Sequence, residues 1–323
     1  GYEKVYANSN GDWFAGGRND KTAIKKNGES DWAISEDMAL ADFVEFNDLL
    51  VAVGDDSVIM SSTDLSGWDS TRIGIPSNLN AVHSCNGNTV AVGNNGSVVM
   101  FQGPFEDVIS PISKEIGSGT FKDIYCDGTY WAAVGDTFSN GVGIMTSTNG
   151  VSWKAYESRG YGYNSVYAIN GSWKAVGREG YVASWDAGDS SPTLDEIYRR
   201  NPYSDDTTNF YDIYANDNCW IAVGWLRLQY EEWVGYGIFT LAEGESEWLS
   251  LWQTDEKQWA TYYGNDYHSV HIDPDSGHSG VVGAAGIVYS EDGNSWLKKN
   301  THEREFFSDI YSHKGKWMAV GVA

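Results

Sequence analysis

The chain has 323 residues and carries 45 acidic against 21 basic side chains, and its formal charge of −24 repels the phosphates of nucleic acids and anionic lipids. Hydrophobic residues make up 41% of the chain, which excludes a disordered protein. No apolar run approaches the roughly 20 residues of a membrane-spanning helix. We therefore expect a globular protein that neither binds nucleic acid nor inserts into a membrane.

A thirteen-residue pattern recurs along the whole chain. In DIYANDNCWIAVG (212–224), an apolar and an aromatic residue precede a polar turn, and an apolar run then ends in glycine. Successive copies start 38 to 57 residues apart, which is the spacing of propeller blades. The eight units begin near residues 4, 42, 81, 123, 165, 212, 269 and 309.

Each unit predicts a β-hairpin, since two short apolar segments flank a Gly/Asn/Asp turn. After most units come a third strand, a polar turn and a fourth strand that opens on tryptophan, as in GIVYSEDGNSWLKK (286–299). This order predicts an all-β protein, a β-propeller of four-stranded antiparallel blades in a single domain, 1–323. TLDEIYRR (193–200) is the one stretch for which we predict a short helix.

The number of blades is left open by the sequence. There are eight first hairpins but only seven second hairpins, because the sequence stops at residue 323. The pattern fits eight blades with an incomplete last one, or seven blades with a displaced terminal hairpin.

The turn SEDGNSW (290–296) resembles the Asp-box, or bacterial neuraminidase repeat, of sialidase-like and related propellers, and STNGVSW (147–153) is a degenerate copy. The resemblance implies that Ser and Asp hydrogen-bond within the turn while Trp packs between blades. Such repeats occur in glycosidases, lectins, assembly factors and virion or phage surface proteins. The structural residues expected are Ser290, Asp292, Gly293 and Trp296, with Ser147, Asn149 and Trp153 in the degenerate copy.

Catalytic and metal-binding signals are weak. A sialidase needs an arginine cluster for the substrate carboxylate, and the eight arginines do not recur at equivalent blade positions. We predict that the protein is not an enzyme, with a degenerate Asp-box glycoside hydrolase as the alternative. The segment 265–278 carries three histidines and three aspartates that could suggest Ca²⁺, but two of the aspartates belong to a hairpin turn. We expect no cofactor, with calcium as the alternative.

Three long connections concentrate the tryptophans that the repeat does not use. They are 186–209, 225–236 and 249–266, and blade topology predicts that all three lie on one face. Aromatic rings beside carboxylates and arginine suit sugar binding, while packing of the loops or contact with another protein is the alternative. The predicted ligand-binding residues are Trp225, Arg227, Tyr230, Glu231, Trp233, Trp252, Trp259 and Tyr262.

We therefore predict a non-catalytic binding or structural propeller. Its expected partner is a glycan or protein receptor, or neighbouring subunits of a larger assembly, with an extracellular or virion-surface location. A purely architectural virion or assembly protein is the remaining hypothesis.

Overall fold

The computed structural model describes the chain in ranges separated by gaps, and the chain divides into two compact units, Gly1–Val166 and Tyr167–Ala323. Across these ranges, no helix is long and apolar enough to cross a membrane. The ranges are 1–18, 21–36, 38–72, 75, 77–101, 108–109, 119–136, 141–157, 162–189, 191–196, 207–227, 237–250, 266–284, 286–293, 295–299 and 306–322.

The first unit contains four antiparallel sheets of four strands, each paired in chain order. Blade 1 consists of β1 (Lys4–Ala7), β2 (Trp13–Gly17), β3 (Lys21–Lys25) and β4 (Ala33–Glu36). Blade 2 consists of β5 (Leu40–Phe46), β6 (Leu49–Gly54), β7 (Val58–Ser62) and β8 (Asp69–Arg72). Blade 3 consists of β9 (Leu79–Cys85), β10 (Asn88–Gly93), β11 (Val98–Phe101) and β12 (Val108–Ile109). Blade 4 consists of β13 (Phe121–Cys126), β14 (Trp131–Gly135), β15 (Val142–Ser147) and β16 (Trp153–Glu157).

Blades 5 to 7 follow, and the first strand of blade 5 begins in the last residues of the first unit. Blade 5 consists of β17 (Tyr163–Ile169), β18 (Ser172–Gly177), β19 (Tyr181–Asp186) and β20 (Thr193–Glu196). Blade 6 consists of β21 (Thr207–Ala215), β22 (Cys219–Arg227), β23 (Ile238–Ala242) and β24 (Leu249–Ser250). Blade 7 consists of β25 (Tyr267–Ile272), β26 (Ser279–Gly283), β27 (Gly286–Ser290) and β28 (Trp296–Lys299). The eighth repeat is a two-stranded sheet of β29 (Phe306–His313) and β30 (Lys316–Val322).

The protein is thus an all-β propeller with seven four-stranded blades, and the eighth repeat is a separate two-stranded hairpin. Of the two blade counts left open by the sequence, seven is correct. The helix predicted at 193–200 is wrong for its first half, because Thr193–Glu196 forms β20 and Leu194 lies opposite Ala183 of β19. Pairing with a neighbouring strand overrides the weak helical preference of this segment. Residues 197–200 lie outside the described ranges.

The glycine that ends the second strand is required by close backbone approach. At Gly54, Gly93 and Gly135, a Cβ atom would lie 2.0 Å from the carbonyl oxygen of the residue that precedes the first strand of the same blade. Any larger residue would push the two strands apart, which explains why the Ala-Val-Gly ending recurs.

Hydrogen bonds from side chain to backbone link successive first strands at three blade interfaces. Even-numbered repeats carry an aspartate just before the apolar anchor, and in repeats 2, 4 and 6 its carboxylate accepts a hydrogen bond from a backbone N–H of the next blade. The N–H groups of Val82, Val166 and Val270 donate to Asp42, Asp123 and Asp212 at 2.9, 2.8 and 2.9 Å.

Aromatic rings follow the same first strands. The rings of His83 and Tyr125 lie 4.7 Å apart between blades 3 and 4, and those of His271 and Tyr311 lie 4.3 Å apart between blade 7 and the eighth repeat. Both histidines occupy positions where most copies have tyrosine. Burial lowers the pKa of His83 to about 4 and that of His271 to about 3, so both are neutral at pH 7.

A disulfide that the sequence analysis missed joins blades 3 and 4. It connects Cys85 and Cys126, at the ends of β9 and β13, with a Cα–Cα distance of 6.1 Å and 41 residues of separation. The signal was present in the sequence, because the two cysteines lie at nearly equivalent positions of adjacent repeats. Cys219 is not bonded to another cysteine.

Candidate ligand-binding site

The turn between the third and fourth strands of blade 7 uses its polar side chains internally. Ser290 Oγ accepts a hydrogen bond from the Gly293 N–H at 2.9 Å and donates to Asp292 at 3.1 Å. The same carboxylate accepts a bond from the Ser295 N–H at 2.6 Å, and the Trp296 indole donates to the Gly293 carbonyl at 3.1 Å. The turn therefore satisfies its own donors and acceptors.

The corresponding turn of blade 4 repeats these contacts. Ser147 Oγ accepts a hydrogen bond from the Gly150 N–H at 2.9 Å, and Asn149 Oδ1 accepts one from the Ser152 N–H at 2.8 Å. The Trp153 indole donates to the Gly150 carbonyl at 2.9 Å. Two blades thus have the same local geometry, which is that of a structural turn.

Two of the eight predicted ligand-binding residues lie within the described structure. Trp225 and Arg227 are on β22, where they pair with Asn209 and Thr207 of β21. They belong to a three-residue extension of β22 beyond Gly224, the glycine at which this strand ends in most other blades. The other six lie outside the described residues: Tyr230, Glu231, Trp233, Trp252, Trp259 and Tyr262.

A cluster at the start of the first strands in the second unit combines aromatic and acidic groups. We call Tyr211, Asp266 and His268 the unit-2 rim. The rings of Tyr211 and His268 stack with centroids 5.0 Å apart and planes 5° apart. One carboxylate oxygen of Asp266, Oδ1, is buried and has no hydrogen-bond partner among the residues that the structure describes. A buried acceptor without a donor is costly, so this rim retains an unused capacity to bind one.

Burial is the main cause of the pKa shifts of all three residues in the unit-2 rim. Burial raises the pKa of Asp266, against the opposing charge of His268, and burial lowers the pKa of His268. The pKa of Tyr211 is raised by burial and secondarily by the charge of Asp266. At neutral pH the rings of His268 and Tyr211 are therefore uncharged, and they lie beside the carboxyl group of Asp266. This combination suits a ligand that brings a donor or a cation together with an apolar surface.

In blades 3 to 5, the positions that correspond to Tyr211 and His268 carry Asn80, Lys122 and Asn164, and Arg18 contacts the first of them. We call these four residues the unit-1 rim. Arg18 pairs with Asp55 and donates to Asn80 Oδ1 at 2.6 Å, and Lys122 donates to Asn164 Oδ1 at 2.9 Å. These contacts join one blade to another and leave the side chains half-buried, so the unit-1 rim is a polar, hydrogen-bonding surface.

The histidines and aspartates that suggested calcium do not come together. Asp266 and His268 precede or begin β25, His271 lies in the aromatic contacts, and Asp273 accepts bonds from the Ser276 N–H and hydroxyl, both at 2.9 Å. Within the described ranges, no three His, Cys, Asp or Glu side chains are placed to hold a metal ion. A calcium site elsewhere stays a prediction.

The rim residues were not found from the sequence. Five of them, Asn80, Lys122, Asn164, Tyr211 and His268, lie two residues before the apolar anchor of their unit, and the residue type at this position differs from one copy to the next. The variation of this position between copies was the available signal. A position that differs from copy to copy is not needed to pack the blades, so it is available for binding.

No family model matches the chain, and no curated protein matches it significantly, so neither an Asp-box nor a sialidase-like family is shown. Solved structures do match. YCF48 bound to D1 peptide has a TM-score of 0.61 and 15% identity over 89% of this chain and 91% of that chain. The computationally designed Ika8 protein has a TM-score of 0.70 and 8% identity over 98% and 92%. The WD40 β-propeller domain of Doa1 has a TM-score of 0.58 and 11% identity over 87% and 88%. At these identities the similarity shows the propeller fold alone.

Proposed function

We propose that the protein is a non-catalytic binding module that recognises a peptide segment of another protein through the unit-2 rim. The observation that carries this proposal is the buried carboxylate oxygen of Asp266, for which the described part of the chain supplies no donor, beside the stacked rings of Tyr211 and His268. A backbone N–H or a Lys or Arg side chain of a peptide supplies the missing donor, and its neighbouring side chains pack on the rings.

A solved structure also supports a protein ligand. A propeller of the same fold, YCF48, has been solved with a D1 peptide bound. A glycan remains the competing ligand, because the aromatic loops of the sequence analysis suit sugar rings.

The test is a selection of random peptides by phage display on the full chain, followed by affinity measurements on the selected peptides. We expect Asp266→Ala and Tyr211→Ala to weaken binding at least tenfold. Asp275→Asn is the matched control, since this exposed carboxylate lies at the other end of the first hairpin of blade 7 and should leave the affinity unchanged. Equal affinity of Asp266→Ala and the parent overturns the site.

A glycan array run on the same variants separates the two ligand classes. Specific glycan binding that is lost in the Tyr211→Ala variant, together with no selected peptide, would replace the peptide by a sugar. Hydrolysis of a chromogenic glycoside panel by the parent chain would instead revive the enzyme.

We also propose an oxidising location, outside the cell or on a virion surface. The supporting observation is the Cys85–Cys126 disulfide, because such bonds persist mainly in oxidising compartments. Mass spectrometry of a non-reduced digest of the protein from its native source tests this, and finding both cysteines reduced contradicts it.

A further inference from the structure

Asp266 occupies a position at which two other blades carry an asparagine. In blades 3, 6 and 7, the backbone carbonyl oxygen of this residue would lie 2.0 Å from a Cβ atom on the glycine that ends the second strand. The equivalent residues are Asn78, Asn209 and Asp266. Their side chains therefore start from the same place in the blade but differ in charge.

In blades 3 and 6 the asparagine receives its donor from the preceding blade. The Asp56 N–H donates to Asn78 Oδ1 at 3.2 Å, and the Glu179 N–H donates to Asn209 Oδ1 at 3.3 Å. Both donors have a positive φ and lie in a short 3₁₀ turn that directly follows the second strand. The ordinary donor for this position is thus a backbone N–H of that turn.

Blade 6 replaces this turn by more strand. β22 continues past Gly224, and Leu226, the residue in the place of the two donors, pairs with Thr208 of β21. Asp266 Oδ1 is therefore buried without a donor among the described residues. Thr208 Oγ1 is a second buried oxygen without a partner there, and Thr208 is only 3% exposed. The extension of β22 thus leaves two unsatisfied oxygens at one end of neighbouring blades.

The change from asparagine to aspartate changes the donor that fits. An amide oxygen is satisfied by a neutral backbone N–H, as in blades 3 and 6. A carboxylate carries a full negative charge, and a buried charge needs an opposite charge as well as a hydrogen bond. Burial raises the pKa of Asp266, and the charge of His268 opposes this shift only in part. The group that fits Asp266 is therefore a cationic donor.

The surroundings of Asp266 also suit a cation. The rings of Tyr211 and His268 stack with planes 5° apart, and neither is charged at neutral pH, since burial raises the pKa of Tyr211 and lowers that of His268. An ammonium or guanidinium group, or the aliphatic stem that carries it, packs favourably on such rings. The net charge of −24 adds a long-range attraction for cations.

We infer that the unit-2 rim binds an organic cation, a primary ammonium or a guanidinium group, which donates to Asp266 and lies against the rings of Tyr211 and His268. This inference rests on the proposed function and narrows it. The donor that the peptide brings to Asp266 is a Lys or Arg side chain and not a backbone N–H.

The test compares a cationic with a neutral probe of the same shape. The probes are the blocked tripeptide Ala-Lys-Ala and its counterpart with norleucine in place of lysine, each titrated into the full chain at pH 7.5 and followed by NMR of the ¹³C-labelled aspartate carboxyl groups. We expect a saturable shift of the Asp266 signal and at least tenfold weaker binding of the norleucine probe. The lysine probe should also lower the pKa of Asp266, because a bound cation stabilises the charged form.

A variant that restores the amide of the other blades sharpens the test. Asp266→Asn keeps an acceptor for a backbone N–H but loses the charge, so we expect it to bind the lysine probe at least tenfold more weakly, as followed by the ring signals of Tyr211 and His268. Asp275→Asn is the matched control, since it removes the same charge from an exposed position of blade 7 and should leave binding unchanged. Butylamine that binds as tightly as the lysine probe would support the cation site but assign it to a free amine instead of a peptide.

Several outcomes would overturn the inference. Equal binding of the two probes, or unchanged binding by Asp266→Asn, would show that the donor is a neutral N–H, and the proposed peptide function would then stand without a cation. A pKa of Asp266 below its ordinary value in the free chain, reversed by Arg227→Ala, would show that this chain supplies the cation itself. A low pKa found only at high protein concentration would assign the site to a second copy. No response to either probe, together with no peptide selected by phage display, would overturn the proposed function as well.

Discussion

The two ends of the seventh blade use carboxylates in opposite ways. At the turn, Asp292 accepts bonds from Ser290 and from the Ser295 N–H within six residues of chain. At the start of the first strand, Asp266 has a buried oxygen with no donor in the described ranges, and burial raises its pKa. A carboxylate satisfied by its own turn stabilises the fold, whereas one that lacks a donor costs stability. Whether an aspartate has its hydrogen-bond donors within the protein therefore distinguishes a structural residue from a candidate binding residue.

The largest effect is expected at the end of the first strands where the disulfide lies. Cys85→Ala with Cys126→Ala should lower the free energy of unfolding by about 2–4 kcal/mol, because the bond closes a loop of 41 residues. Urea denaturation with and without a reducing agent measures this. Cys219→Ala leaves the disulfide intact, so this variant should still lose stability when the reducing agent is added. If the double variant loses as much stability on reduction as the wild type, the effect does not come from the Cys85–Cys126 bond.

The next effect concerns the buried neutral His271. Its pKa in the folded state is about 3, below the value of 6.5 for an exposed histidine. The unfolded chain therefore binds the proton first, and stability falls as pH drops below 6.5 until the folded pKa is reached. His271→Tyr, the residue found in most copies, should recover about 2–3 kcal/mol of this loss at pH 4.5 and leave the wild-type slope at pH 7 to 9 unchanged. Parallel urea titrations at pH 4.5 and 7 check it, and identical pH profiles would contradict it.

A smaller loss is expected from the turn itself. Asp292→Ala removes the acceptor for Ser290 and the Ser295 N–H and should cost about 1–2 kcal/mol by denaturation. Glu291→Ala, at an exposed position of the same turn, should change stability by less than about 0.5 kcal/mol. If both substitutions cost the same, the turn is not held together by Asp292.

The smallest effect has the opposite sign and belongs to the rim. Because burial raises the pKa of Asp266, its charged form opposes folding once the pH rises above about 4. Asp266→Asn should therefore leave stability at pH 7 unchanged or higher by less than about 1 kcal/mol, since the side chain is only half-buried, and should match the wild type at pH 3. A clear loss of stability at pH 7 would make Asp266 a structural residue like Asp292.

The blade architecture was predictable because every blade packs against its neighbours in the same way and therefore repeats the same residue types. Trp296 and Trp153, for example, both mark the start of a fourth strand. Features that occur once are harder to predict. The only sequence signal for the Cys85–Cys126 bond was the nearly equivalent position of the two cysteines in adjacent repeats, and the burial of Asp266 depends on local packing that the repeat does not specify. At 193–200, the helical preference of a short segment was weaker than the demand for a fourth strand beside β19.

The alternation of aspartate along the first strands has a consequence for how this chain is divided. Asp42, Asp123, Asp212 and Asp309 occupy every second repeat, and the carboxylates of the first three reach forward to the following blade. Each of these three aspartates holds the backbone of the blade that follows it, so a junction placed directly after blade 2, 4 or 6 removes the N–H donor of a carboxylate. Shortened or lengthened propellers built from this sequence should therefore be joined after blade 1, 3 or 5, so that none of the three aspartates is left without the backbone it holds.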